Sequence, residues 1–164
     1  MEYEDLDIED FDAIVTGELT HSALWMETLL NNLIAEFFEV PQTRINDFKR
    51  LMLLRDGLNF QDKIEITRGL IPLINNETYI KELKEVLKEV ESFKSWRNAM
   101  AHGIDVTDDE DLVDGLKIVI QIITRSGKHK ELSITPTSHR QKYKESQEII
   151  EKLENIIEKI LKSE

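Results

Sequence analysis

The sequence predicts a mainly α fold: a helical bundle with a β-hairpin inserted before its last helix. Three patterns carry that expectation. Two long apolar stripes recur at helical spacing and stop at Pro41 and Gly103, a run dense in Ile and Val surrounds the pair Ser126-Gly127, and Ile149, Leu153, Ile156 and Ile160 mark a closing helix. The 164 residues are 40% hydrophobic, enough to bury a core as one domain spanning residues 1–164.

Taken in order, the stripe from Asp10 to Phe38 includes Phe11, Ile14, Val15, Leu19, Met26, Leu30, Leu33, Ile34 and Phe37, and reads as one long helix eased at Gly17. Thr43 to Leu54 reads as a short helix that Asp56-Gly57 ends, and Phe60 to Leu70 as another before Pro72. Asn75 and Asn76 are N-cap residues for a second long helix from Thr78 to His102, which Gly103 stops. Asp105 to Asp114 is an acid-rich loop. Its acids lack the alternating ligands, central glycine and terminal glutamate of an EF-hand, so a solvated loop is expected and no metal is assigned. The hairpin spans Leu116 to Thr135, with Leu116 to Thr124 as one strand and Glu131 to Thr135 as the returning one. Ser138 and Gln141 have capping-box spacing for the last helix, whose apolar seam packs on the bundle or on a second copy.

The chain contains no cysteine, which excludes disulfides, thiolate metal sites and a cysteine nucleophile. Its start is acidic, and no apolar run approaches the roughly 20 residues of a membrane span. A cytoplasmic location without membrane contact is expected.

The formal net charge of -12 argues against a polyanion partner, but the charge is unevenly spread. Residues 1–40 have no Lys or Arg and account for most of the excess acid, while Arg125, Lys128, Lys130, Arg140, Lys142 and Lys144 gather around one turn and one helix start. Of these, Arg125, Lys128, Lys130 and Arg140 are the candidate RNA-binding cations. The plainer alternative is a solvated basic surface.

The chemically informative run is Ser95-Trp96-Arg97-Asn98-Ala99-Met100-Ala101-His102-Gly103. At roughly 100° per residue, Leu83, Val86, Val90, Phe93, Arg97 and Ala101 share a face, so a guanidinium stands on an apolar stripe. It must pair with a carboxylate, snorkel, or reach a polar cleft or interface. Asn98 lies one turn before His102 and is placed to orient the imidazole. Arg97 and His102 are about 140° apart on a straight helix. They converge only through arginine's reach, unwinding near Gly103, or a second copy. The plain structural account pairs Arg97 with an acid on the first helix and leaves His102 favouring a helix C-terminus.

The run Arg97-Asn98-Ala99-Met100-Ala101-His102-Gly103, at the end of a long helix, resembles the signature of HEPN domains: an arginine, a polar residue, and a histidine a few residues on. The order of elements resembles that family over nearly the whole chain, including the segment Leu58-Asn59-Phe60-Gln61-Asp62-Lys63-Ile64; the hairpin is an elaboration. The resemblance implies a metal-independent endoribonuclease without cofactor. It also implies a homodimer whose two motifs face each other, and a toxin, phage-defence or RNA-processing role with a possible antitoxin or regulatory partner. By position Arg97 and His102 would be catalytic and Asn98 an assistant. Some HEPN toxins carry a tyrosine two residues after the histidine that a partner nucleotidyltransferase modifies; Ile104 stands there, so that control is not implied. Other members bind without cutting, so the alternative is a non-catalytic helical module for a protein or nucleotide partner.

His21, His129 and His139 have no ligand-like or triad-like partners in sequence and are expected in surface or packing roles. Phosphate-loop, zinc-protease and serine-hydrolase motifs are lacking, and Trp25 and Trp96 are expected to anchor the core.

Overall fold

The computed structural model describes Tyr3 and residues 6–108, 110–113, 115–123 and 127–162. Five helices are described, α1 (Ile8–Phe37), α2 (Ile45–Phe48), α3 (Phe60–Leu70), α4 (Glu77–His102) and α5 (Pro136–Lys162), together with strands β1 (Ile104–Asp105), β2 (Ile118–Ile123) and β3 (His129–Ile134). No described helix is long and apolar enough to cross a membrane. The chain forms two compact units, Met1–Ala23 with Phe93–Gln147 and Leu24–Ser92 with Glu148–Glu164.

In the first unit the start of α1 buries Phe11, Val15 and Leu19, the end of α4 buries Phe93 and Ala99, and the sheet buries Ile118, Val119, Ile120 and Ile134. The expected hairpin is present as β2 and β3, paired antiparallel from Ile118 opposite Ile134 to Ile123 opposite His129. It belongs to a three-stranded sheet of order β1-β2-β3, because Ile104 and Asp105 pair with Gln121 and Ile120. Asp105 therefore leaves the loop assigned to it and joins a strand. Two residues are too few to show an alternating pattern, so β1 is invisible to periodicity. Thr124, Arg125 and Ser126 lie outside the described residues, and Gly127 adopts φ 75°, the left-handed value a tight reversal uses.

Of the acidic loop, Asp109 and Asp114 lie outside the described residues; Asp108 and Glu110 are exposed. Asp111 pairs with Lys117, whose hydrogen bond holds its carboxyl below the usual range.

The start of α5 corrects the capping expectation. Thr135, not Ser138, is the cap: its Oγ1 accepts from the Ser138 backbone N–H at 3.3 Å, and Ser138 Oγ accepts from the Thr135 N–H at 2.9 Å. Pro136 then takes the first helical position, where its missing N–H costs nothing, and Gln141 bonds Glu145 instead.

In the second unit α1 buries Met26, Leu30, Leu33 and Ile34, α3 buries Ile64 and Leu70, and α4 buries Leu83, Val86, Leu87 and Val90. The α5 seam is buried within the chain at Ile149, Leu153, Ile156 and Ile160. Helix α3 starts at a complete capping box, with Asn59 accepting from Gln61 and Asp62 and the Asp62 carboxylate accepting from the Asn59 N–H. Asn76 caps α4 by accepting from Thr78 and Tyr79. The helix expected over Thr43 to Leu54 is instead one short α-turn, α2, followed by a π-helical stretch, Lys49–Leu53. The wider winding breaks the 3.6-residue stripe, burying Leu53 and leaving Leu51, Met52 and Leu54 exposed. Gly17 does not interrupt α1.

Candidate functional site

The stripe on α4 stays buried through Leu83, Val86, Val90 and Phe93, then rises to the surface: Arg97 is half-buried and Ala101 exposed. Arg97 thus stands where the apolar face gives out, which removes the cost of burying its charge outright. Among the described residues it forms no ion pair, so the expected acid on α1 does not hold it. Its Nη1 donates to Asn98 Oδ1 at 3.2 Å.

That bond takes up the Asn98 amide oxygen, which makes no hydrogen bond to His102. The reason is proximity: the long arginine side chain folds back over its neighbour's short amide. His102 is exposed as the last residue of α4.

Gly103 fixes where that helix ends. Its N–H donates to Ala99 O at 2.7 Å, yet its φ is not left-handed, so it is not a glycine cap of the usual kind. A Cβ at 103 would meet Ile120 Cγ2 at 2.1 Å and Ala99 O at 2.5 Å. Glycine is required because the chain leaving His102 passes directly against β2.

The candidate RNA-binding cations share this unit. Lys128 and Lys130 are exposed, Lys130 opposite Ile122 in the β2–β3 ladder. Arg140 is exposed in the second turn of α5 with Cζ 4.7 Å from the Tyr3 ring centroid. Arg125 lies outside the described residues. Trp96 is half-buried beneath the Lys142 ammonium, 4.7 Å from its ring centroid, whereas Trp25 is 49% exposed rather than a core anchor. The Trp25 indole N–H reaches Glu154 at 3.2 Å, a polar tether that suits a surface position.

A buried polar cluster escaped the sequence reading. His139 is fully buried, with Tyr3 Oη hydrogen-bonded to its Nδ1 at 2.8 Å and the Tyr3 and Phe11 rings edge-on to the imidazole. Glu18 Oε2 is 3.3 Å from Nε2 but off the line a hydrogen bond needs, so Nε2 has no hydrogen-bond partner. Burial pushes the His139 pKa below its ordinary value and that of Glu18 above it. Tyr3 is raised by burial and then by Glu18, with Arg140 acting the other way. Stepping back by sevens from Ile160 gives Leu153, Ser146 and His139, all fully buried, so extending the α5 seam would have found this histidine.

Among the described residues no group of three or more His, Asp or Glu side chains is arranged to hold a metal ion. The chain matches no family model, no curated protein and no solved structure.

Proposed function

We propose that this chain is a metal-independent endoribonuclease of the HEPN type, acting as a homodimer in a toxin or phage-defence setting. The observation that carries the reading is Arg97: a half-buried arginine at the end of α4 with no carboxylate paired to it among the described residues. An arginine kept for an ion pair would have one. This one keeps its charge for an anion, and the bond to Asn98 restrains its direction.

The exposed imidazole of His102 supplies the second component. An imidazole takes the proton of an RNA 2'-hydroxyl as that oxygen attacks the adjacent phosphorus, and a protonated imidazole returns a proton to the departing 5' oxygen. The P–O5' bond breaks, leaving a 2',3'-cyclic phosphate and a 5'-hydroxyl. Arg97 stabilises the charge that gathers on the phosphorane oxygens. Because the two residues are about 140° apart on one helix, a second copy related by a two-fold axis is the simplest way to complete the site. Lys128, Lys130, Arg140 and Arg125 would then guide the strand, and an antitoxin or regulatory protein would restrain the activity.

One observation favours the alternative of a non-catalytic module for a protein or nucleotide partner: Asn98 turns to Arg97, so it does not orient the His102 ring. Incubating purified protein with total RNA in EDTA, beside His102→Ala, separates the two. Cutting by the parent alone supports the nuclease, and equal cutting by both, or none by either, favours the module.

A further inference from the structure

The unit that carries Arg97 and His102 contains a groove of about 390 Å³ lined by Tyr3, Leu6, Gly115, Leu116, Pro136 and Arg140. We propose that this groove receives one base of the RNA strand, away from the bond that is cut; the inference rests on the ribonuclease reading and gives it a substrate subsite.

The lining matches a base better than other ligands. Leu6, Leu116 and Pro136 make the walls apolar, and the volume lies in the range of small-molecule sites. Gly115 adds no side chain, has open space where a Cβ would stand, and adopts φ 121°, a conformation that other residues rarely take. The cation is Arg140, seated over the Tyr3 ring, and Tyr3 is itself anchored through its hydroxyl to the buried His139. A planar cation beside apolar walls suits a flat aromatic ring with polar edges, the part of single-stranded RNA that proteins splay out and stack. A bare anion would gain nothing from the three apolar walls, and an aliphatic ligand nothing from Arg140.

The sheet register sets the distance from the motif. Ile104, two residues after His102, lies level with Gln121 on β2, and Leu116 precedes Gln121 by five residues. From Gln121 back to Ile118 the strand covers about 10 Å, and Leu116 lies two residues beyond its start, so the groove stands on the order of 10 Å or more from Ile104. That places the base away from the reacting phosphate, where it would select the substrate without taking part in the chemistry.

The test is binding of the four 5'-nucleoside monophosphates to the full chain, followed by NMR, for the parent, Arg140→Lys, Arg140→Ala and Leu116→Trp. Inorganic phosphate serves as competitor, circular dichroism checks folding, and cleavage of a single-stranded RNA in EDTA is measured alongside. At least one nucleotide should bind, and both Arg140 variants should lose roughly tenfold or more, because lysine keeps the charge but lacks the planar face. Leu116→Trp, filling the groove, should lose at least as much; if it does not fold, the Arg140 pair decides alone. No nucleotide binding, full affinity in Arg140→Lys, or equal competition by inorganic phosphate overturns the proposal. The two readings fail separately. Nucleotide binding with these losses but uncut RNA sinks the nuclease and leaves the groove, while cut RNA with an unchanged KM in Arg140→Lys sinks the groove and leaves the nuclease.

Discussion

Gly103 passes so close to Ile120 that a Cβ on it would stand 2.1 Å from Ile120 Cγ2. The backbone oxygens of Ala99 and Gln121 close the same space at 2.5 and 3.3 Å, so no rotamer change of Ile120 relieves the contact completely. Gly103→Ala should therefore destabilise the protein by about 1–3 kcal/mol, the usual cost of overpacking. Urea unfolding measures it. A change within about 0.5 kcal/mol, the scale of an ordinary surface substitution, would show that the junction between α4 and β1 is looser than the contact implies.

A different kind of packing constraint surrounds Lys63, a buried ammonium paired with Glu27. Removing one partner leaves the other charge unmatched, whereas replacing the lysine by an apolar residue of similar length removes the charge itself. Glu27→Ala should cost about 3 kcal/mol or more, and Lys63→Met clearly less. Equal losses in denaturant unfolding would mean that the pair's charge is already solvated.

His139 makes stability depend on pH in a direction that follows from its burial. Its folded pKa lies below the ordinary value, so the unfolded chain takes up the proton first as pH falls. The stability it contributes is complete above about pH 6.5 and is lost on acidification toward the folded pKa. Glu18 has the opposite sign. Its raised pKa gives a contribution present below the ordinary carboxylate value and lost as pH rises through the folded one. Between about pH 7.5 and 5.5 the parent should lose more stability than His139→Phe, whose ring cannot titrate. Parallel pH profiles for the two proteins would contradict the assignment.

Much of the fold is legible in the sequence because its helices keep long stripes and end on residues with one physical role. Asn76 caps α4, and Gly103 follows its last residue. What was hidden depends on contacts distant in sequence. Strand β1 exists because Gly103 lets the chain approach β2, and the π-helical stretch Lys49–Leu53 changes the period on which stripe reading depends. At the candidate site, spacing located Arg97 on the apolar face but not the point where that face reaches solvent. It made Asn98 a neighbour of His102, although the side-chain geometry joins it to Arg97. The His139 cluster was missed because one of its members, Tyr3, is 136 residues away.

The angle between Arg97 and His102 leads to an assembly prediction. At micromolar concentration the protein should sediment as a dimer, and a cross-linker joining residue 102 to residue 102 of a second copy should capture it. A species that stays monomeric throughout that range would remove the route by which the two side chains reach one phosphate.

The central claim is that RNA supplies its own nucleophile while His102 moves the proton, and one substrate tests it directly. A single-stranded oligoribonucleotide, first mapped for its cut site in EDTA, is resynthesised with one 2'-deoxy sugar immediately 5' to the scissile phosphate. The all-RNA strand should yield a 2',3'-cyclic phosphate and a 5'-hydroxyl, the deoxy strand should survive at that bond, and His102→Ala should cut the all-RNA strand about 10²–10⁴-fold more slowly. Cleavage of the deoxy strand at the same bond, or an undiminished rate in His102→Ala, would contradict the account.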